Sequence, residues 1–249
     1  GVSRLRLWKA RAAAPERLAI GDYTGGYNDN VAQKSLAADI ICKLLYPADN
    51  NYDGKVLRLT QQYFMVSASC QSIIRDHMAV YGKIDNLADK IAIHINDTHP
   101  ALPIPELMRI LMDVYSYSWD DAWSVVVKTV SYTNHTVLPE ALECWRVDLF
   151  AMKLPRIFMI VNEINKRFTA DLWNLYPGDW DRISRMAIVA YNQVRMANLC
   201  VIGCHSVNGV SKLHSNILTE TVFKDFYRMY PHLSDDDFVR ENLERWLAD

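Results

Sequence analysis

Apolar side chains recur along the chain with two different spacings, which predict two kinds of element. From Leu59 to His77 the stripe positions are separated by steps of four and three residues, which predicts a long amphipathic helix. From Ile91 to Ile95 every second residue is isoleucine, which predicts a β-strand. The same patterns predict helices over residues 31–45, from Pro105, after Ser118, from Pro139, and over 155–173 and 184–197, with further strands over 4–9, 129–132 and 199–202.

Three of the predicted strands run into polar loops that each contain a histidine. The loops cover residues 96–100, 133–136 and 203–209. Apolar strands that alternate with helices indicate a mainly parallel sheet, so these loops are expected at the same edge of it. Ligands of such sheets bind outside the carboxyl ends of the strands. The pattern therefore predicts a binding site along one edge, formed by all three loops.

The side chains in these loops suit a ligand that is rich in hydroxyl groups. Asparagine, aspartate, threonine and histidine supply hydrogen-bond donors and acceptors to a sugar. Taken singly, each histidine is more often a residue that organises its own loop, but three such loops together favour a site. The candidate residues are Asp97, His99, Asn134, His135, Thr136, His205 and Asn208. The segment from Tyr46 to Gly54 could add aromatic platforms and carboxylates.

Other chemistries are less well supported by the sequence. His94, Asp97 and His99 could bind a metal ion, but their spacing matches no compact zinc signature. A metal-dependent hydrolase using these three residues remains an alternative at this point. The chain has no phosphate-binding P-loop and no G-x-S-x-G nucleophile motif. No pair of carboxylates stands out as a glycosidase acid and nucleophile.

Composition and charge narrow the class of protein. The 249 residues include 27 basic and 29 acidic side chains, for a net charge of −2, so the basic excess of a nucleic-acid binder is missing. Half of the residues are hydrophobic, and no apolar run reaches the length of a membrane span. Five cysteines without paired spacing do not indicate a disulfide framework. These features predict a cytoplasmic protein with no nucleic-acid or membrane partner.

Several motifs resemble those of the α-glucan (glycogen, starch and maltodextrin) phosphorylases. The longest are Asn96-Asp97-Thr98-His99-Pro100 with the following Pro105–Leu111, and Tyr132–Glu143. The others are Leu5–Trp8, Gly25-Gly26-Tyr27, Leu45-Tyr46-Pro47 with Asp49-Asn50, and His205–Val210. The resemblance runs in the family's order over residues 1–230, as part of its N-terminal domain. Residues 231–249 are expected to form a C-terminal helix that does not match the family.

The resemblance implies a fold and an activity. The fold would be helix-rich α/β, part of the Rossmann-like N-terminal domain of a two-domain glycosyltransferase of the GT-B type. The reaction would be phosphorolysis of terminal α-1,4 glucosyl units to glucose 1-phosphate, with α-1,4-glucan and phosphate as partners. The family uses pyridoxal phosphate bound to a lysine, and no lysine of this chain matches that lysine.

The resemblance also implies roles for individual residues. His135 matches the histidine that contacts the glucosyl unit near its 6-hydroxyl, so it is the expected catalytic residue. Asp49 and Asn50 match a mobile gate loop, and Asp97 and His99 match the acceptor-glucan side. His205 and Asn208 match a loop that lines the cleft, and Asn134 and Thr136 flank His135 as further substrate-binding residues.

The chain corresponds to well under half of a family member. The upstream Gly-rich loop and the C-terminal domain that would hold the cofactor lysine are not matched. We therefore expect this segment alone to be inactive, with a non-catalytic glucan-binding or structural module as the alternative function. Strands that lack their usual partners would favour self-association, so a homo-oligomer is expected.

Overall fold

The computed structural model describes residues 5–12, 26–45 and 47–230, without the side chains of 26–33. The chain divides into two compact units, residues 1–69 and 70–249. In chain order the helices are α1 Gly26–Lys43, α2 Tyr52–Tyr81, α3 Leu87–Lys90, α4 Pro103–Asp113, α5 Trp119–Thr129, α6 Val147–Lys153, α7 Pro155–Leu175, α8 Trp180–Met186, α9 Met196–Gly203, α10 Lys212–Glu220 and α11 Lys224–Met229. The strands are β1 Ile93–Asn96, β2 Val130–Asn134, β3 Cys144–Arg146, β4 Val189–Ala190, β5 Gln193–Arg195 and β6 Ser206–Gly209, and Pro139–Ala141 forms a 3₁₀ turn.

The first unit contains α1 and the beginning of α2. The strand predicted over residues 4–9 is wrong for the described part of that range, because residues 5–12 have no regular secondary structure. Side-chain contacts hold this segment instead: the Trp8 indole donates to Ser69 Oγ at 3.0 Å, and the Ala10 amide lies 3.0 Å from Cys42 Sγ. The helix predicted over 31–45 begins earlier, at Gly26, and ends at Lys43.

The second unit is built around a three-stranded parallel sheet in the order β1-β2-β6. Its first two strands agree with the sequence pattern, and so do α4 and α5, the two helices that lie between them in the chain. Pro103 and Pro105 lie in the first turn of α4, where a missing backbone N–H costs nothing. Ser118 caps α5, since its Oγ accepts from the Asp121 amide at 3.2 Å. The predicted helix over 155–173 is confirmed as α7. With eleven described helices and a parallel sheet, the fold class is helix-rich α/β.

Two predicted helices are wrong because a second, antiparallel sheet takes their place. The segment after Pro139 forms a short 3₁₀ turn and then strand β3, whose Trp145 pairs with Val194 of β5. The segment 184–197 contains the hairpin of β4 and β5. Its turn residues Tyr191 and Asn192 have φ values of 51° and 58°, which a helix does not permit.

The strand predicted over residues 199–202 is also wrong. These residues lie in α9, a helix that is buried almost all round. A short, wholly apolar run is compatible with either a buried strand or a buried helix, so its pattern does not decide between them. The third strand of the parallel sheet is β6, which starts at Ser206. The predicted helix over 231–249 lies outside the described residues.

Candidate active site

The register of the parallel sheet brings polar residues together at its carboxyl edge. Asn96 of β1 is level with Thr133 of β2, which is level with Asn208 of β6. One more bond continues this ladder, from the Asp97 amide to the Thr133 carbonyl at 2.9 Å. Asp97, His135 and Asn208 therefore share one edge. The sequence predicted Asn208 in a loop after a strand at 199–202, whereas it lies within β6.

His135 is exposed at this edge and is held by the neighbouring strand. Its Nε2 lies 2.5 Å from Oδ1 of Asn96, the last residue of β1. An amide oxygen can only accept a hydrogen bond, so Nε2 is the donor. The Nδ1 atom is then the unprotonated nitrogen of the neutral ring, available as an acceptor for a hydroxyl group.

Asn134 is buried, although it directly precedes the exposed His135 in the chain. Its side chain is fully buried, and its Nδ2 donates to Tyr132 Oη at 2.8 Å. Its Oδ1 accepts from the Thr136 amide at 2.7 Å. The structure therefore corrects the prediction that Asn134 contacts a ligand: its hydrogen-bonding groups shape the loop that presents His135 and Thr136. Burial also raises the pKa of the Tyr132 hydroxyl, which keeps it a neutral partner.

A chain of side-chain hydrogen bonds crosses all three parallel strands and ends at Asn208. The two ring nitrogens of His94 lie 2.8 Å from Ser131 Oγ and 2.7 Å from Thr133 Oγ1. Thr133 Oγ1 in turn donates to Asn208 Oδ1 at 2.8 Å. Burial lowers the pKa of His94, which favours the neutral ring. In that form Nε2 donates to Thr133 and Nδ1 accepts from Ser131.

The loop after β1 turns sharply at Asp97. This residue has a φ of 63°, and its Oδ1 accepts from the Thr98 amide at 2.6 Å. Aspartate tolerates this left-handed conformation better than most residues because its short side chain bonds locally. His99 follows with half of its side chain exposed, and its Nδ1 lies 3.7 Å from Glu143 Oε1. Both predicted acceptor-side residues therefore lie in one tight loop at the polar edge.

His205 is not brought to this edge. It precedes β6, so it lies at the amino end of that strand, whereas Asn208 lies near the carboxyl end. Its Nδ1 is 3.0 Å from the Val127 carbonyl of α5, and its amide bonds to the Val130 carbonyl. The prediction that all three histidines share one edge is therefore wrong for His205, because residues 206–209 form a strand and not a loop.

The predicted gate residues belong to the first unit. Asp49 and Asn50 are exposed, and Asp49 Oδ2 lies 3.3 Å from Arg58 Nη1 of α2. The Asn51 side chain accepts from the Gly54 amide at 2.8 Å at the start of the same helix. Asp49 is thus tethered to a helix by an exposed ion pair, which is a weak interaction in water.

The arrangement gives the metal alternative no support. Within the described residues, no group of three or more histidine, cysteine, aspartate or glutamate side chains is placed to hold a metal ion. Both ring nitrogens of His94 already contact hydroxyl groups.

Two residues that contribute to the site were missed by the sequence reasoning. Asn96 and Thr133 hold His135 and Asn208, respectively, and neither was chosen as a candidate. The signal was present in the alternation of β1, which places His94 and Asn96 on the same face. Their partners, however, are remote in sequence and follow only from the register.

These features define a helix-rich α/β protein with a polar edge on its parallel sheet. The sequence model described as "Carbohydrate phosphorylase" matches residues 1–237. The chain belongs to the carbohydrate phosphorylase family.

Curated relatives cover almost the whole chain. It is 46% identical over 246 residues to "Glycogen phosphorylase" of Bacillus subtilis (strain 168). It is 47% identical over 259 residues to "Glycogen phosphorylase, muscle form" of Mus musculus, and 46% identical to that of Oryctolagus cuniculus. Each alignment covers 99% of this chain and 30% of the relative, so the chain spans less than a third of their length. None of the helices described here is both long and apolar enough to cross a membrane.

Proposed function

We propose that the protein containing this chain is an α-glucan phosphorylase. It transfers terminal α-1,4 glucosyl units of glycogen, starch or maltodextrin to phosphate and releases glucose 1-phosphate. The observation that supports this most directly is the exposed His135, held by Asn96 at the carboxyl edge of a sheet whose loops carry the family's motifs.

The side chains at the edge suit recognition of a sugar. Asp97, His99, Thr136 and Asn208 supply neutral or acidic hydrogen-bonding groups, and His135 supplies a bare ring nitrogen. Such groups stabilise the transition state when they are preorganised, because the protein then needs no free energy to reorient them during the reaction. His135 contacts the glucosyl unit near its 6-hydroxyl, and Asp97 and His99 contact the acceptor glucan.

Asn134 and His205 act differently in this proposal. Asn134 shapes the His135 loop from inside the protein and does not touch the glucan. His205 holds the amino end of β6 against α5. Asp49 and Asn50 form a gate, whose exposed ion pair with Arg58 is weak enough to open and close.

The described residues at the edge do not fit the family's cofactor. Pyridoxal phosphate needs a lysine for its Schiff base and cations for its phosphate, and the proposed site residues include neither lysine nor arginine. We therefore place the cofactor on residues outside the proposed set and derive no step from it. The chain would form part of the N-terminal domain of a GT-B type enzyme, acting in the cytoplasm as a homo-oligomer.

The proposal is tested by phosphorolysis in a full-length phosphorylase that carries this segment. The His135→Ala variant should lose about 100-fold in kcat/KM, as expected when a group that stabilises the transition state is removed. Asn174→Ala, a change at an exposed position of α7, is the control and should have wild-type activity.

The alternative is a glucan-binding module without catalysis. Calorimetry of the full-length protein with maltooligosaccharides separates the two functions. Binding without phosphate-dependent release of glucose 1-phosphate would favour the module and overturn the proposal. Binding together with release supports the phosphorylase.

A further inference from the structure

Asn96 is the last residue of β1 and makes one contact that bears on the proposed chemistry. In the parallel register it is level with Thr133, two positions before His135. Its side chain therefore reaches the first residue beyond the end of β2. The bond from His135 Nε2 to Asn96 Oδ1, at 2.5 Å, is the result of that stagger.

A neutral imidazole has one protonated nitrogen, and the bond made by one nitrogen decides the state of the other. Asn96 Oδ1 has no hydrogen to give, so it selects the ring form with the proton on Nε2. The other nitrogen, Nδ1, is then an acceptor. Without Asn96, a neutral histidine at this exposed position would populate both forms.

We propose that Asn96 is a positioning residue that sets the tautomer and ring orientation of His135. This inference rests on the proposed function, in which His135 binds a sugar hydroxyl. The hydroxyl donates its hydrogen to Nδ1, and Asn96 keeps that nitrogen bare. Asn96 acts through His135 and needs no contact with the glucan.

The backbone at this point makes the placement rigid. Asp97, the next residue, adopts a left-handed conformation and bonds through its amide to the Thr133 carbonyl. Below the loop, Asn134 is locked between Tyr132 and the Thr136 amide. Both partners of the Asn96–His135 bond are therefore attached to anchored backbone, which lowers the entropy cost of forming it.

The tautomer can be read directly by nitrogen NMR of the chain labelled with ¹⁵N-histidine. At pH 8 we expect His135 to show a protonated Nε2 and a bare Nδ1. Asn96→Leu removes the acceptor at similar volume and should give averaged shifts of the two nitrogens. Asn96→Asp restores an acceptor oxygen and should restore the wild-type pattern.

A matched control comes from a second asparagine–histidine pair. Asn86 Oδ1 lies 3.1 Å from His77 Nε2, in another part of the second unit. The same His77 nitrogen also lies 2.9 Å from the Lys83 carbonyl, so Asn86→Leu should leave the His77 tautomer unchanged. It should also leave the resonances of His135 as they are. A His135 pattern that Asn96→Leu does not alter, or a wild-type ring protonated on Nδ1, would overturn the inference.

Kinetics of the full-length enzyme provide the second readout. Asn96→Leu should lower kcat/KM about tenfold, as expected for one lost hydrogen bond, and Asn96→Asp should recover most of it. Equal losses in both variants would show that Asn96 has only a structural role. Because the nitrogen shifts are measured without substrate, a lack of phosphorolysis would overturn the proposed function and not the tautomer assignment.

Discussion

Tyr132 and Asn134, two residues apart on β2, are joined by a 2.8 Å hydrogen bond in which Asn134 Nδ2 donates to Tyr132 Oη. Both side chains are fully buried on the same face of the central strand. The Tyr132 hydroxyl and the Asn134 Nδ2 group are polar groups inside the protein that are paired with each other. The loop that carries His135 is therefore tied to the core through one pair of side chains.

The losses of unfolding free energy caused by removing each member of this pair should not be additive. Asn134→Ala leaves the Tyr132 hydroxyl buried without its donor and should lower the free energy of unfolding by about 1–3 kcal/mol. Tyr132→Phe in the Asn134→Ala background should cost much less than in the wild type. Urea unfolding of the four chains gives the coupling energy, and strictly additive effects would contradict the pairing.

Glu106 and Arg109 form the most deeply buried ion pair described in the second unit. Glu106 is fully buried, and two guanidinium nitrogens of Arg109 lie 2.8 Å from its two oxygens. Arg109→Met should destabilise the protein by about 3–5 kcal/mol, because it removes a cation that is hydrogen-bonded to a buried carboxylate.

The control for that change is an exposed pair with similar geometry. Arg146 and Asp148 are also joined by two hydrogen bonds, but both side chains are more than half exposed. Arg146→Met should change the free energy of unfolding by less than about 1 kcal/mol. Similar losses for Arg109→Met and Arg146→Met would show that burial does not decide the strength of these pairs.

His94 should make the stability of the protein depend on pH. Burial lowers its pKa in the folded state, so near pH 6.5 and below the unfolded chain binds a proton that the folded chain does not. The contribution of His94 to the free energy of unfolding is therefore fully present above pH 6.5, and it is lost as the pH falls below that value. His94→Gln cannot titrate and should lose less stability than the wild type between pH 7.5 and 5.5. Parallel curves for the two proteins would refute this assignment.

Gly203 marks a close approach between α9 and α4. A methyl group at this position would lie 2.7 Å from Cγ2 and 2.8 Å from Cδ1 of Ile104. Gly203→Ala should therefore cost about 1–3 kcal/mol through overpacking, although alanine is the better helix former. In an Ile104→Ala background the same change should be nearly neutral, since the clashing atoms are gone. A cost that persists there would mean that the helices are not in close contact at this point.

The sequence by itself determined the elements whose pattern is long or locally complete. The stripe of α2, the strands around Ile93 and Val130, helix α7 and the Ser118 cap are all encoded by neighbours in the chain. The family can also be recognised from the sequence, because the motifs around His99 and His135 are long and contiguous. None of these features depends on a partner that is distant in sequence.

Tertiary structure decided the features that depend on remote partners. Trp145 is in a strand because it pairs with Val194. Residues 199–202 lie in a helix, although their short apolar run is equally compatible with a buried strand. The register of β1 on β2 brings Asn96 to His135, and the register of β2 on β6 leaves His205 at the amino end of β6. The local sequence pattern identifies the candidate site residues, whereas strand register determines which of them are in contact. The reason is that the neighbours of a side chain across a sheet are distant from it along the chain.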